Sequence, residues 1–215
     1  MPPERTSTYT GPSNTSQPPS SLSSFEAIYN HLTTTYPSPV LPSPSPAPRD
    51  SSLNHAITSL HLHPSLEALL HILNLDLPSA HFLTRHMENR PAYASMYLHG
   101  ILHRIEGDYR NAELWYKDVS GSDIFKGVWG EDKGALERAH AFIQKVEKLR
   151  KAKQGSLEEL EKESGREIEG IKEYLVKEFG TGVVGDATQA WVEKPEKSKE
   201  AAAKMVVGGE GWRQF

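Results

Sequence analysis

Two histidines, an arginine and two carboxylates stand in the ten residues from His99 to Asp108, inside the stretch HGILHRIEGDYRNAELWY. At about 100° per residue on a helix, His103 lies some 40° from His99 and Glu106 about 20° away on the other side, so the three form one stripe. Imidazole nitrogens and a carboxylate oxygen converging from one helix face suit a divalent zinc, manganese or iron ion. In that reading His99, His103 and Glu106 are ligands, Glu106 doubles as general base, and Arg104 and Asp108 complete a metal-dependent hydrolase or oxygenase site. A further ligand would come from the preceding helix, where His81, His86 and Glu88 are nearest in sequence. His81 and His86 are five residues apart and point roughly 140° from each other, so they cannot both serve.

The same residues also read as the polar seam of a helical hairpin. Histidine is abundant, with 10 in the chain and eight of them between His55 and His103, so i, i+4 pairs arise easily. Leu98, Ile101, Leu102 and Ile105 centre about 100° from the stripe, which places it at the border of the core, where polar groups bond one another. Asp108 would then cap the next helix. Both readings stay open on the sequence.

The elements that carry the stripe are helical. HPSLEALLHILNLDLP repeats leucine at three and four residues and makes a core helix from Pro64 to about Asn74; SAHFLTRHMEN follows, with Ser79 as its expected cap. AYASMYLHGILHRIEG is the helix of the stripe, ended by Gly107, and DYRNAELWYKDV returns from it. SGSDIFKGVWG reads as a glycine-rich connection that tucks Phe125 and Trp129 against the bundle. A helix over 132–150 has Leu136, Ala139, Phe142, Ile143 and Val146 on its apolar face. The last, SLEELEKESGREIEGIKEYLVKEFG, opens with the capping box of Ser156 and Glu159, and its sparse apolar positions place it on the outside. The expected class is all-α: a single compact helical bundle over 51–180, with no convincing strand.

Flanking segments differ. Residues 1–50 hold 11 of the 15 prolines and 17 Ser or Thr, and such a segment reads as a disordered arm. One island, SSFEAIYNHLTTTY, spaces Phe25, Ile28, Tyr29 and Leu32 as a short amphipathic helix near 24–34, which docks on the chain's own core or serves another protein as a linear motif. Residues 181–215 read as a partly ordered tail, with a short helix over 196–205 and with Trp191, Trp212 and Phe215 as anchors. HLHP, at 61–64, reads as a solvated helix cap, and VEKLRKAKQG, at 146–155, as a solvated helix end.

Composition excludes several classes. The absence of cysteine removes disulfides, thiolate metal sites and a cysteine nucleophile. A net charge of -4 gives no basic field for nucleic acid, and no apolar run approaches the roughly 20 residues that span a bilayer. A cytoplasmic or nuclear protein that is not secreted is expected. No phosphate-binding, dinucleotide or hydrolase-elbow motif occurs.

Against a tetratricopeptide template, Gly100, Gly107, Tyr109, Ala112 and Tyr116 fall on small and aromatic positions of one helical hairpin, while His103 replaces the usual aromatic. A shift of roughly 34 residues finds little beyond Gly134, so the hairpin is not one of a tandem array. The stretch also resembles the signature of a little-characterised family of bacterial and fungal helical proteins, H-[GA]-I-x-H-R-x-E-x-D-Y-x-N-A-x-x-W-[YF]. That pattern falls on His99, His103, Arg104, Glu106, Asp108, Tyr109, Asn111, Ala112 and Trp115, with looser likeness over 64–125. Many members carry proline where this chain has Gly107. The resemblance implies a helical fold and a purpose for the polar residues, and it names no reaction.

Together these patterns read as a binding or adaptor protein, with Tyr93, Tyr97, His99, His103, Asn111 and Trp115 lining a groove for a protein, peptide or small-molecule ligand. The alternative is the metal-dependent enzyme on His99, His103 and Glu106, with His81 or His86 beside them.

Overall fold

The computed structural model describes residues 22–39 and 47–193. The rest of the N-terminal arm, the 196–205 segment, Trp212 and Phe215 lie outside the described residues. Nine α-helices and no strand are found among the described residues.

The amphipathic island forms α1, Phe25–Thr35, capped by the Ser24 hydroxyl, which accepts from the Ala27 amide at 3.2 Å. Phe25, Ile28, Tyr29 and Leu32 are all buried in the common core, and α1 packs on α2, Leu53–Thr58, and α3, Pro64–Leu73. The island is thus a piece of the bundle. Asn74, just after α3, exchanges two 2.9 Å hydrogen bonds with the Asp50 backbone and so fastens the segment that enters α2.

Helix α4 is Leu77–Arg85, and its cap is Asp76 where Ser79 was expected. Pro78 lies in the first turn, where proline is pre-set for a helix start, so the helix begins one turn early; the Ser79 amide donates to the Asp76 carboxylate. Helices α5, Tyr93–Glu106, and α6, Tyr109–Val119, form the central hairpin. Gly107 ends α5 at φ 90°, the left-handed region, and the Asp108 amide closes the turn on the His103 carbonyl at 2.9 Å. Gly100 lets α6 approach: a Cβ there would stand 2.9 Å from Trp115 Cβ and 3.0 Å from the Tyr116 ring.

The expected glycine-rich connection is a helix, α7, Asp123–Trp129. Ser122 caps it, and burial of Ile124, Phe125, Val128 and Trp129 outweighs the low helix propensity of Gly127. Helix α8, Ala135–Ala152, packs on α6, and α9, Leu157–Phe179, closes the bundle against α3, α7 and α8. The ends of α9, Leu157 and Phe179, are partly exposed, while Leu160, Ile168, Ile171 and Leu175 are buried. Beyond it the chain runs back over the bundle: the Val184 amide donates to the His61 carbonyl, and Trp191 stacks on His86 with ring centroids 4.3 Å apart. His63, in the HLHP segment, caps α3 through its ring, stacks on Phe179 at 3.6 Å and is half-buried, so this cap is a packed contact. Among the described residues, no helix is long and apolar enough to cross a membrane.

Candidate functional site

The stripe on α5 meets α4 on one side and α6 on the other. His81 on α4, His99 and His103 on α5, and Trp115 on α6 form one ring cluster. The Trp115, His99 and His103 rings stack in a column with centroids 4.8 and 4.7 Å apart, and His81 stands edge-on at 5.2 Å from His99 and 5.6 Å from His103. All three imidazoles are buried, and Trp115 is half-buried at the rim.

Carboxylates surround these rings. Glu106 bridges two of them: its Oε1 lies 2.8 Å from His81 Nε2 and its Oε2 lies 3.7 Å from His103 Nδ1. Asp108 Oδ2 stands 3.8 Å from the same His103 nitrogen, while the other oxygen of Asp108 accepts the Asn111 amide and caps α6. His99 Nδ1 faces Glu88 Oε2 at 3.4 Å. On the far side of the turn, Arg150 of α8 donates to the Glu106 carbonyl at 2.9 Å. The left-handed turn at Gly107 therefore sets Glu106 and Asp108 against the same imidazole.

Of the residues expected on sequence, the structure brings together His81, His99, His103, Glu106, Asp108 and Trp115, with Glu88. His86 turns away to Trp191 and Phe82. Tyr93 is half-buried beside Arg90, and Asn111 enters the site by its backbone amide. Tyr97 and Arg104 do not line the groove. Tyr97 is about 200° around α5 from His99, and Arg104 falls within about 20° of Tyr97 by the same arithmetic, so both face the core and have no exposed surface.

There they serve a second polar cluster, which the sequence reading did not include. Glu167 of α9 is fully buried; it forms an ion pair with Arg104 and accepts from the hydroxyls of Tyr97 at 2.9 Å and Tyr116 at 2.6 Å. Trp129 Nε1 donates to the Tyr97 oxygen at 2.6 Å, and the Arg104 guanidinium lies 4.5 Å from the Phe142 ring centre. Burial and then the Glu167 charge push the Tyr97 hydroxyl well above its ordinary range. Burial is the largest influence on Arg104 and lowers it, but the Glu167 charge and hydrogen bond together with the neighbouring tyrosines outweigh it and raise the guanidinium above its ordinary range. One signal could have found this cluster: Ser164 and Glu167 fall inside the apolar stripe of α9 that runs through Leu160, Ile168 and Ile171.

Chemically, the α4–α5–α6 seam holds imidazoles turned toward carboxylates and carries the Trp115 ring, stacked on His99, at its rim. The His99 and His103 rings meet face to face, and Glu106 is engaged by His81. Among the described residues, no group of three or more His, Asp or Glu side chains is arranged to hold a metal ion. Comparisons with family models, with curated proteins and with solved structures give no match.

Proposed function

We propose that the chain is an intracellular helical binding module whose recognition face is the rim of the α4–α5–α6 seam. The observation that carries this reading is the half-buried Trp115 stacked on His99, on a helix whose neighbouring residue Leu114 is half exposed. Behind them, Glu106, Glu88 and Asp108 engage the imidazoles and hold the rings in place, so the rim is pre-organised for a protein or peptide side chain. The likeness of these residues to the H-[GA]-I-x-H-R-x-E-x-D-Y motif supports a functional purpose for the seam.

A photo-crosslinking amino acid at Leu114, compared with one at exposed Val183, tests this reading in cells. A discrete adduct from position 114 alone is expected, and its partner should bind the purified full chain at least about tenfold more weakly after Trp115→Ala, as loss of an aromatic anchor predicts. Equal labelling at both positions would remove the case for a recognition face.

The metal-dependent hydrolase or oxygenase is the second reading, and one observation favours it. The Nδ1 atoms of His99 and His103 face carboxylates, the orientation in which outer carboxylates aim metal-binding imidazoles. Metal analysis of the untagged protein beside His99→Ala and His103→Ala decides it. Stoichiometric zinc, manganese or iron lost in both variants would favour the enzyme. Metal-free protein whose unfolding temperature is unmoved by added metal or chelator would leave the binding module.

A further inference from the structure

Ser-Pro occurs three times in the chain, at Ser38, Ser43 and Ser45. Ser38 lies among the described residues, and its surroundings are specific. After α1 the chain turns extended at Tyr36, and the Pro37-Ser38-Pro39 strap crosses α9. The residue before a proline favours extended backbone, so Ser38 is held in the form that a peptide-modifying enzyme reads. The Pro39 carbonyl accepts from the buried Ser164 hydroxyl at 2.9 Å, and the Ser38 hydroxyl stands 3.1 Å from where a Cβ on Gly165 would be. The strap thus lies directly on α9 at a glycine. One turn to either side of Gly165 on that helix are Glu161, whose charge is felt by Arg49, and Glu169, which is paired with Lys172 and with the Tyr29 hydroxyl of α1.

We propose that Ser38 is a phosphorylation site for a proline-directed serine/threonine kinase and that its phosphate holds α1 off the bundle. In the transfer, the Ser38 oxygen bonds to the γ-phosphorus of ATP, the bond to the ADP leaving group breaks, and the hydroxyl proton passes to the kinase's base. The product adds three acceptor oxygens and a charge of about -1.5 to -2 where the Ser38 hydroxyl already lies directly against Gly165 of α9. While docked, Ser38 is half-buried, so the kinase acts on the minor undocked state and traps it, a population shift in a two-state element. Ser164 also receives Arg104 Nη2 at 3.5 Å, so release of the strap removes one neighbour from the buried Arg104 and Glu167 cluster.

The test uses the full chain with Ser43→Ala and Ser45→Ala, a proline-directed kinase and ATP, with mass-spectrometric mapping and hydrogen exchange of α1. Phosphate on Ser38, and exchange of α1 faster by about tenfold or more while α5 and α6 stay protected, is the expected result. Ile28→Ala, which loosens docking and leaves the Ser-Pro step intact, should speed the modification, since access follows the open population. The proposal fails if a kinase that modifies a peptide of residues 31–45 at Ser38 leaves the full chain untouched even with Ile28→Ala. It fails equally if phosphorylated chain keeps α1 as protected as Ser38→Ala does.

Discussion

The Glu167 carboxylate meets the Arg104 guanidinium with neither side chain exposed to solvent, and two tyrosine hydroxyls donate to the same carboxylate. Breaking such a pair from one side leaves an uncompensated buried charge. Glu167→Ala is expected to cost about 3–5 kcal/mol in urea unfolding. Arg104→Lys should also be costly, because one Arg104 nitrogen bonds both Glu167 and the Tyr116 oxygen. A loss under about 1 kcal/mol for both would mean that the cluster is solvated and not a core contact.

At the hairpin crossing, Gly100→Ala sets helix propensity against packing. Alanine would gain about 1 kcal/mol in a helix interior, but its Cβ would meet Trp115 and Tyr116 at 2.9 and 3.0 Å, and overpacking of that kind costs about 1–3 kcal/mol. The net should be a loss, together with a shift in Trp115 fluorescence as the two helices part. A stabilised variant would show that the hairpin has slack.

Acid should weaken the fold through His63. Burial lowers its pKa from 6.5 to about 4, and its Nδ1 accepts the Ser65 amide, which the protonated ring cannot do. The unfolded chain binds the proton first, so this contribution is present above about pH 6.5 and is lost as pH falls toward 4. Discounted for the ring's partial exposure, the effect is about 1–2 kcal/mol. His63→Asn keeps a capping acceptor and removes the titration, so a plot of unfolding temperature against pH should flatten between 6.5 and 4. An unchanged slope would assign the acid response to other groups.

Phe25 tests the place of α1. The ring is 2% exposed, so Phe25→Ala should cost about 3–5 kcal/mol of global stability. Were α1 only a motif for another protein, the substitution would leave the unfolding midpoint unmoved.

Much of this arrangement is legible in one dimension. The three-and-four spacing of α3 and α5 follows their burial, and glycine at 107 followed by aspartate at 108 announces the stop and the cap that face Glu106 and Asp108 toward His103. What escaped reading had tertiary causes. Helix α7 contains a glycine and is followed by another, so local propensity points to a loop; only burial of its four large apolar side chains makes the helix. Arg104 belongs to the motif by sequence, yet its angle on α5 hands it to Glu167, which lies 63 residues further along the chain. Which nitrogen of which imidazole meets which carboxylate depends on the approach of α4, and no spacing within α5 encodes that.

The late position of Glu167 in the chain also governs how the protein comes into being. Until α9 is synthesised, Arg104, Tyr97 and Tyr116 have no carboxylate to receive them, and the hairpin that carries the seam would have to bury a guanidinium with no counter-charge. Helices α3 to α8 therefore gain a buried counter-charge for Arg104 only when α9 docks on them.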